Sequence, residues 1–300
     1  MKVVQVDKYG PPEGLKFIEL DKPIPKDNEV LVRIHATTVT YGDATLRRMR
    51  FPSRLVLGFF LGGLGKGKVL GHEFAGEIET VGKDVTLFKI GDQVFGSTGM
   101  KGGAHAEYIC LPEDSMMTIK PTNLSLEDAA AVPVGGNTAL DILRKGNIQS
   151  GQKILVYGAS GSVGTYAVQL AKYWGAEVTG VSSTANLEMV RSIGADKVID
   201  YTKEDFTTNG ETYHVIFDAV RKISSSKCKE SLSEDGVFLS TTASTRESTE
   251  NLVFLKELIE AGNIRPVIDR TYPLEEIVEA HRYVDTGRKK GNIVITVHSV

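Results

Sequence analysis

The sequence predicts an α/β protein with two domains in series, a strand-rich part followed by a doubly wound parallel sheet. The chain has 300 residues, too many for one compact core at about 100 to 200 residues per domain. Short strand-like runs between Gly-containing turns occupy residues 1–120, whereas strands alternate with helical segments from residue 121 onward. This alternation is typical of a parallel sheet with right-handed crossovers.

Within residues 1–120, the run 29–36 alternates apolar and mixed side chains, as a half-buried strand does. His35 lies on the mixed face, and we interpret it as a surface or hydrogen-bonded histidine rather than a catalytic one. Further strand candidates are residues 76–81, 93–96 and 106–111. Together these runs indicate a small all-β or barrel-like unit.

From residue 121 to about residue 265 the pattern changes. Residues 125–131 predict a helix with Ser125 as N-cap and Asp128 three residues later. Helices are also predicted after Gly164 and over residues 251–261. The strand candidates are residues 153–157, 177–181, 197–200, 215–218 and 237–240. Residues 266–300 add a helix ending at Gly287 and a strand over 292–297, and we expect this segment to return to the first domain.

Composition argues against several classes of protein. The chain has 35 Lys and Arg against 38 Asp and Glu, a net charge of −3, so it has no overall positive field to attract nucleic acid or an acidic membrane. Cys110 and Cys228 lie far apart, which argues against a disulfide scaffold and favours a reducing, cytoplasmic location. The N-terminus lacks a signal-peptide pattern. The most apolar stretch, residues 55–64, is about half of what a membrane helix needs.

The strongest chemical signal is a glycine-rich turn between a predicted strand and a predicted helix. Gly158, Gly161 and Gly164 follow the pattern GxxGxxG, and a second strand follows the helix. Glycines in such a turn let the backbone approach a pyrophosphate, and the helix N-terminus offers unpaired N–H groups and a positive dipole end. The sequence therefore predicts a dinucleotide site, whose candidate contacts in this turn are Gly158, Ser160, Gly161, Ser162 and Val163.

The end of the second strand distinguishes between the two nicotinamide coenzymes. An NAD site usually places an acidic residue there, about 20 residues past the glycines, but this chain has Ser182, Ser183 and Thr184. Hydroxyls without a carboxylate favour NADPH over NADH. Ala185 and Asn186 follow where a cation would help most, so Arg191, Lys203 and Tyr201 are the alternatives for contacting the 2′-phosphate.

Three motifs resemble those of the medium-chain dehydrogenase/reductase superfamily. Residues 71–82 read GHEFAGEIETVG, residues 129–134 read AAAVPV and residues 157–164 read YGASGSVG. Within the superfamily the chain resembles the zinc-independent quinone oxidoreductase branch, also called zinc-type alcohol dehydrogenase-like. The resemblance implies a GroES-like β-barrel catalytic domain, an inserted Rossmann NADP-binding domain over residues 121–265, and a nicotinamide bound between them.

The resemblance also implies roles for residues outside the glycine-rich turn. Thr138 is expected near the coenzyme phosphates or the nicotinamide, and Asp218-Ala219-Val220 along the ribose. Arg221 stands where a glycine is expected. Relatives dimerise through a longer segment than the ten residues 241–250 of this chain. A homodimer is therefore possible, but the short segment weakens that expectation.

The resemblance predicts no metal site. Zinc-dependent members place a Cys ligand where this chain has Thr40, a His at His72, and a Cys near residues 134–136, which offer no ligand here; a catalytic zinc takes about three protein ligands. His72 and Glu73 are expected to hydrogen-bond within the barrel. Without a Lewis acid, hydride addition to quinones or α,β-unsaturated carbonyls is favoured, because conjugation spreads the developing charge.

The candidate catalytic residues are Thr40 and Tyr41 as hydroxyl donors and Asp43 as the organiser of their turn. Relatives carry Asn at the position of Thr40, and Tyr41 is equally well explained as a buried packing residue. Two other functions stay open at this point. One is a nucleotide-binding protein with little or no turnover, and the other is a zinc-dependent alcohol dehydrogenase.

Overall fold

The computed structural model describes residues 1–49 and 67–298, in two compact units. The first unit comprises residues 1–134 and 268–300, and the second comprises residues 135–267. The domain boundaries near residues 120 and 265 stay predictions. The apolar stretch 55–64 lies outside the described residues.

The strands and helices follow one another along the chain as β1 (Lys2–Val6), β2 (Leu15–Glu19), β3 (Glu29–Thr38), α1 (Tyr41–Arg48), β4 (Lys68–Val69), β5 (Glu73–Val81), β6 (Gln93–Ser97), β7 (Tyr108–Pro112), β8 (Met117–Ile119), α2 (Leu126–Ala130), α3 (Pro133–Arg144), β9 (Lys153–Tyr157), α4 (Ser162–Tyr173), β10 (Glu177–Ser182), α5 (Leu187–Ser192), β11 (Lys197–Asp200), β12 (Tyr213–Asp218), α6 (Ser225–Cys228), β13 (Leu232–Ser240), α7 (Thr249–Glu260), β14 (Ile268–Pro273), α8 (Ile277–Asp285) and β15 (Asn292–Thr296). None of the helices in the described ranges is both long and apolar enough to span a bilayer.

The first unit is built on two sheets. The larger has the order β14-β15-β3-β5-β6-β8, with β7 also paired to β3, and the smaller has the order β2-β1-β4. β15 pairs antiparallel with β3, so the C-terminal segment belongs to this unit. The core of the larger sheet is apolar and fully buried, and includes Val30, Val32, Ile34, Phe74, Ile78 and Val94.

The prediction that β3 is half-buried is wrong. Leu31, His35 and Thr37, on the face expected to meet solvent, are buried as well. β3 pairs with β5, β7 and β15, and the register with β5 shifts at two places. Because β3 has neighbouring strands on both edges and irregularities interrupt its pleat, the alternation of apolar and mixed side chains no longer separates a buried face from an exposed one. His35 is accordingly buried rather than on the surface, with its ring 6.0 Å from that of His298.

The second unit is a parallel sheet with the order β11-β10-β9-β12-β13. The predicted α/β class with a parallel sheet is therefore confirmed. α4 packs on β9 and β10, and its buried residues include Ala167, Leu170 and Ala171. The strand β13 forms one edge of the sheet, and residues 241–247 connect it to the Ser248 N-cap of α7 without a further strand.

Candidate functional site

The glycine-rich turn joins β9 to α4. Gly158 has φ +80°, and a Cβ built there would lie 2.5 Å from Val220 Cγ1. A Cβ at Gly164 would lie 2.1 Å from the Gly158 carbonyl oxygen, whereas one at Gly161 would meet no heavy atom closer than 3.5 Å. Gly161 is the N-cap of α4 and provides no side-chain cap, so no capping side chain occupies the amides of the first helical turn. The arrangement fits the pyrophosphate of a dinucleotide.

Polar side chains connect this turn to the end of β10. Asn186 Nδ2 lies 3.2 Å from Ser160 Oγ and 3.3 Å from Ser183 Oγ. Ser182 Oγ donates to the Ser183 carbonyl oxygen at 3.3 Å. The sequence predicted Ser182 and Ser183 as phosphate contacts. It gave Asn186 no role, noting only that it stands where a cationic side chain would have helped. The structure instead places Asn186 between two of the predicted residues.

A carboxylate that the sequence did not single out lies beside this cluster. Asp200 ends β11, in register with Ser182, and it accepts hydrogen bonds from the Thr184 hydroxyl, the Thr202 hydroxyl and the Thr202 amide. Hydrogen bonds from Thr184 and Thr202 lower the pKa of Asp200 to about 2. Its oxygens are therefore committed to protein donors. A charge at this end of the sheet could not be foreseen from Ser182–Thr184, because it comes from the next strand.

The three alternatives for contacting a 2′-phosphate differ in their surroundings. Lys203 Nζ lies 3.6 Å from Asp200 Oδ2, so its charge already has a partner. Arg191 is exposed on α5. Tyr201 directly follows β11, is 53% exposed, and has its ring 6.3 Å from that of Tyr157 at the end of β9. The Tyr201 ring therefore lies near Tyr157, the residue directly before the glycine-rich turn.

The loop after β12 closes over the glycine-rich turn. Asp218 is buried, and its carboxylate accepts the backbone N–H groups of Val220, Lys222 and Ile223 at 2.8 to 3.0 Å. These bonds hold Val220 against Gly158. Arg221 adopts φ +59°, and its Nη2 donates to the Thr241 carbonyl oxygen at 2.7 Å. The left-handed backbone explains why a glycine was expected at this position.

Thr138 lies on α3, one turn after the helix begins at Pro133, and is half-buried. Its predicted role toward the coenzyme stays a prediction.

The first unit carries the predicted catalytic residues at the start of α1. Thr40 is the N-cap, its hydroxyl accepting from the Asp43 amide at 3.0 Å and donating to Asp43 Oδ2 at 2.5 Å. Asp43 Oδ2 also accepts from the Thr40 amide at 2.8 Å, which completes a capping box. Tyr41 is 63% exposed, which contradicts the alternative that it is a buried packing residue. The Arg48 guanidinium lies 5.6 Å from its ring centre.

Asp43 and His72 form the centre of this region. His72 Nδ1 lies 2.8 Å from Asp43 Oδ1, and the Gly71 amide donates to the same oxygen at 2.8 Å. Burial acts to raise the pKa of Asp43, but the adjacent His72 and the Thr40 hydroxyl outweigh it and hold the pKa well below its ordinary value. Asp43 therefore stays ionised as the anchor that joins α1 to the loop before β5.

Glu73 lies next to this centre, buried at the start of β5. Its carboxylate accepts from the Thr38 hydroxyl at 2.5 Å and from the Val134 amide at 2.6 Å. Burial raises the pKa of Glu73 to about 7, against the lowering effect of these two hydrogen bonds. His72 and Glu73 were expected to hydrogen-bond within the first domain. His72 is paired with Asp43, and Glu73 accepts from Thr38 and Val134, all of which belong to the first unit.

Two further histidines are buried in the first unit, and the sequence analysis assigned neither of them a role in the site. His105 donates from Nε2 to the Thr38 carbonyl oxygen at 2.9 Å, and its ring centre lies 5.8 Å from that of His281 on α8. His281 Nδ1 accepts from Nε of the fully buried Arg47 at 3.3 Å. Burial lowers the pKa of His281 to about 3 and lowers that of His105. Both imidazoles are therefore neutral at pH 7.

The residues of this region do not fit a catalytic zinc. Thr40 stands where zinc-dependent members have a Cys, its hydroxyl is engaged with Asp43, and residues 134–136 have no ligating side chain. Within the ranges 1–49 and 67–298, no three or more His, Cys, Asp or Glu side chains are grouped so that they could hold a metal.

Comparison with known proteins gives matches over both units. The family model for the alcohol dehydrogenase GroES-like domain matches residues 26–121, and that for zinc-binding dehydrogenases matches residues 193–249 and 237–295. A 2-methylene-furan-3-one reductase of Solanum lycopersicum is 35% identical, over 98% of this chain and 79% of its own. An NADPH-dependent alkenal/one oxidoreductase, chloroplastic, of Arabidopsis thaliana is 31% identical over the same shares.

A solved structure shows the same fold. The quinone oxidoreductase from Coxiella burnetii superposes with a TM-score of 0.86 at 27% identity, and the match covers 99% of each chain. The predicted GroES-like unit and parallel Rossmann-type sheet are confirmed, as is the predicted resemblance. The chain belongs to the medium-chain dehydrogenase/reductase superfamily, in the branch of the quinone and alkenal/one oxidoreductases.

Proposed function

We propose that this protein is an NADPH-dependent reductase that transfers hydride to quinones or α,β-unsaturated carbonyls without zinc. The observation that carries the proposal is the turn from Gly158 to Gly164, which opens α4 beside a strand end with hydroxyls in place of an acidic side chain. The nearby carboxylate of Asp200 has its hydrogen-bonding capacity occupied by Thr184 and Thr202. An anionic coenzyme therefore meets donors rather than an unpaired carboxylate.

The residues proposed to hold the coenzyme surround this turn. A bound nicotinamide coenzyme supplies the hydride. The backbone at the start of α4 would bind the pyrophosphate, and the residues at the ends of β10, β11 and β12 would flank the adenosine and ribose. The proposed contacts are Thr138, Gly158, Ser160, Gly161, Ser162, Val163, Ser182, Ser183, Tyr201 and Val220.

In the first unit, we propose Tyr41 as the hydroxyl donor to the acceptor oxygen. The hydrogen of the Thr40 hydroxyl is given to Asp43, so Thr40 and Asp43 position the start of α1. Tyr41 is the first residue of that helix and is exposed. A single well-placed donor contributes on the order of 3 kcal/mol to a transition state with developing negative charge. For a conjugated acceptor that contribution suffices, because the charge is delocalised.

The test is single-turnover mixing of the protein with NADPH and a panel of quinones and enones, without oxygen and after treatment with a chelator. We expect oxidation of NADPH, followed as loss of absorbance at 340 nm, and we expect this oxidation to be roughly 100-fold slower when Tyr41 is replaced by Phe. A metal content near one zinc per chain, with activity lost to the chelator, would refute the zinc-independent part. Tighter binding of NADH than of NADPH would refute the coenzyme preference.

A matched pair of variants tests where the coenzyme binds. Gly161 has room for a side chain and extended backbone, and Asp and Asn are both good N-caps. Gly161→Asp and Gly161→Asn should therefore fold alike, but the carboxylate should weaken NADPH binding far more because it repels the phosphates. Equal affinities in the two variants would contradict binding at this turn.

The second candidate function is nucleotide binding with little or no turnover. This function is favoured by the hydrogen bond from the Thr40 hydroxyl to Asp43, because that hydroxyl, one of the predicted donors, is not available to a substrate. NADPH binding without oxidation across the whole panel would decide for it. The cytoplasmic location and the homodimer stay predictions, tested by localisation of the tagged protein and by sedimentation.

A further inference from the structure

One amide group joins the glycine-rich turn to the end of β10. Asn186 Nδ2 carries two N–H groups and lies 3.2 Å from Ser160 Oγ and 3.3 Å from Ser183 Oγ. One N–H is therefore available for each serine. Resting on the proposed function, we propose that Asn186 is a positioning residue that fixes these two hydroxyls as hydrogen-bond donors to the coenzyme and thereby favours NADPH over NADH.

The direction of these hydrogen bonds decides what the serines can do. A hydroxyl has one hydrogen and two lone pairs. Because Asn186 donates to both oxygens, each serine uses a lone pair and keeps its hydrogen. Across residues 1–49 and 67–298, neither hydroxyl gives that hydrogen to another protein group. A phosphate has only acceptor oxygens at its surface when ionised, so it complements such a pair.

The neighbouring hydroxyls are used differently. Thr184 donates to Asp200, and Ser182 donates to a backbone carbonyl. Thr202, after β11, donates to Asp200 at 2.7 Å. Of the three hydroxyls at residues 182–184, Ser183 alone keeps its hydrogen for a ligand in the described structure. The site therefore depends on fewer donors than the sequence suggests, and on the residue that orients them.

The location relates this pair to the coenzyme's 2′ substituent. The residue after the second strand of a dinucleotide-binding unit is where an acidic side chain accepts the ribose 2′-hydroxyl of NAD. Ser183 directly follows β10. A hydroxyl held as a donor suits the 2′-phosphate of NADPH, whereas the 2′-hydroxyl of NADH gains less from it. Ser160, in the glycine-rich turn, accepts from the same amide.

The experiment is calorimetric titration of NADPH and NADH into four proteins: wild type, Asn186→Ala, Asn186→Asp, and the control Asn263→Ala, at an exposed asparagine in the same unit. Loss of one oriented hydrogen bond to an ionised group corresponds to a weakening of about tenfold. We expect Asn186→Ala to weaken the binding of NADPH by that factor and the binding of NADH by less than about twofold. Asn186→Asp should weaken NADPH further, because a carboxylate takes the serine hydrogens and repels the phosphate. The control should bind both as wild type does.

A second set separates positioning from a direct contact. Without Ser160 and Ser183, Asn186 has nothing to orient, so adding Asn186→Ala to the S160A/S183A background should change NADPH affinity by less than about twofold. Thermal unfolding of each variant checks that the second unit stays folded.

Three results would overturn the inference alone: NADPH affinity unchanged in Asn186→Ala, equal weakening of NADPH and NADH, or a full effect of Asn186→Ala in the serine-free background. Wild-type protein that binds neither nucleotide would overturn the proposed function and the inference together.

Discussion

His281 provides a quantitative test of the buried centre in the first unit. Its pKa lies near 3 in the folded protein, against about 6.5 in an unfolded chain. Burial lowers it most, and the cationic side chains of Arg47 and Arg48 together with His105 act in the same direction, while Asp43 opposes them. Between these two pKa values the unfolded chain binds a proton that the folded protein does not bind. Stability due to the neutral imidazole is therefore complete above pH 6.5 and is lost as the pH falls.

The magnitude follows from the size of the shift. Each pKa unit corresponds to about 1.4 kcal/mol, and the unfolded histidine takes up its proton mainly below pH 6.5, so lowering the pH from 7.0 to 4.5 removes about 3 kcal/mol through His281. His281→Asn keeps an acceptor for the Arg47 Nε hydrogen bond but does not titrate. Over this interval the free energy of unfolding of the wild type should fall about 3 kcal/mol more than that of the variant. The comparison cancels groups common to both proteins.

The assay is urea unfolding at pH 7.0 and pH 4.5. Far-ultraviolet circular dichroism follows both units, whereas fluorescence of Trp174, the single tryptophan, follows the second unit. The pH effect should appear in the first signal and leave the fluorescence transition unchanged. Parallel loss of stability in wild type and His281→Asn would refute the reasoning, since it would mean that His281 is not neutralised by burial.

Three further predictions use matched substitutions. Arg221→Gly should be more stable than Arg221→Ala by about 1 kcal/mol in chemical unfolding, because only glycine relaxes the left-handed backbone; equal stabilities would contradict this. As the pH rises from 4.5 to 8, the free energy of unfolding of Glu73→Gln should increase by about 3 kcal/mol relative to that of the wild type, because the folded pKa of Glu73 near 7 exceeds its unfolded value. Melting temperatures of the two proteins that change in parallel with pH would disprove this. Gly164→Ala should destabilise the second unit by about 1 to 3 kcal/mol, because its Cβ would overlap the Gly158 carbonyl oxygen. Gly161→Ala should not, and Trp174 fluorescence during unfolding distinguishes the two.

The parallel sheet was the easiest part to predict from the sequence. The strands β9 and β11 have the predicted bounds, because buried parallel strands are short apolar runs bounded by turn residues. The glycine-rich turn was equally clear, since its spacing is set by a tight turn and helix packing. By contrast, β14 was not predicted. Its residues are half-buried or exposed and include charged side chains, so they lack an apolar periodicity.

The buried histidine centre could not be predicted for a different reason. Arg47 and His281 are 234 residues apart in the chain, and nothing local to either residue indicates the other. A histidine on an amphipathic helix such as α8 has the same sequence pattern whether it is exposed or buried. Only the pairing of β15 with β3, which brings the C-terminal segment into the first unit, accounts for this contact.

Thr40 and Asn186 each stand in place of a residue with a different chemical role, and each still has a role of its own in the site. At each position the sequence suggests a loss, of a metal ligand in one case and of a phosphate-binding cation in the other. The structure gives each a hydrogen-bonding role: Thr40 caps α1 and engages Asp43, and Asn186 holds Ser160 and Ser183. Because a neutral donor held by neighbours discriminates less strongly than a cation or a metal, we expect modest coenzyme preference and dependence on conjugated acceptors. Both features depend on how the donors are oriented. Substitutions that keep a polar side chain but change its geometry should therefore disturb them as much as substitutions that remove the polar group.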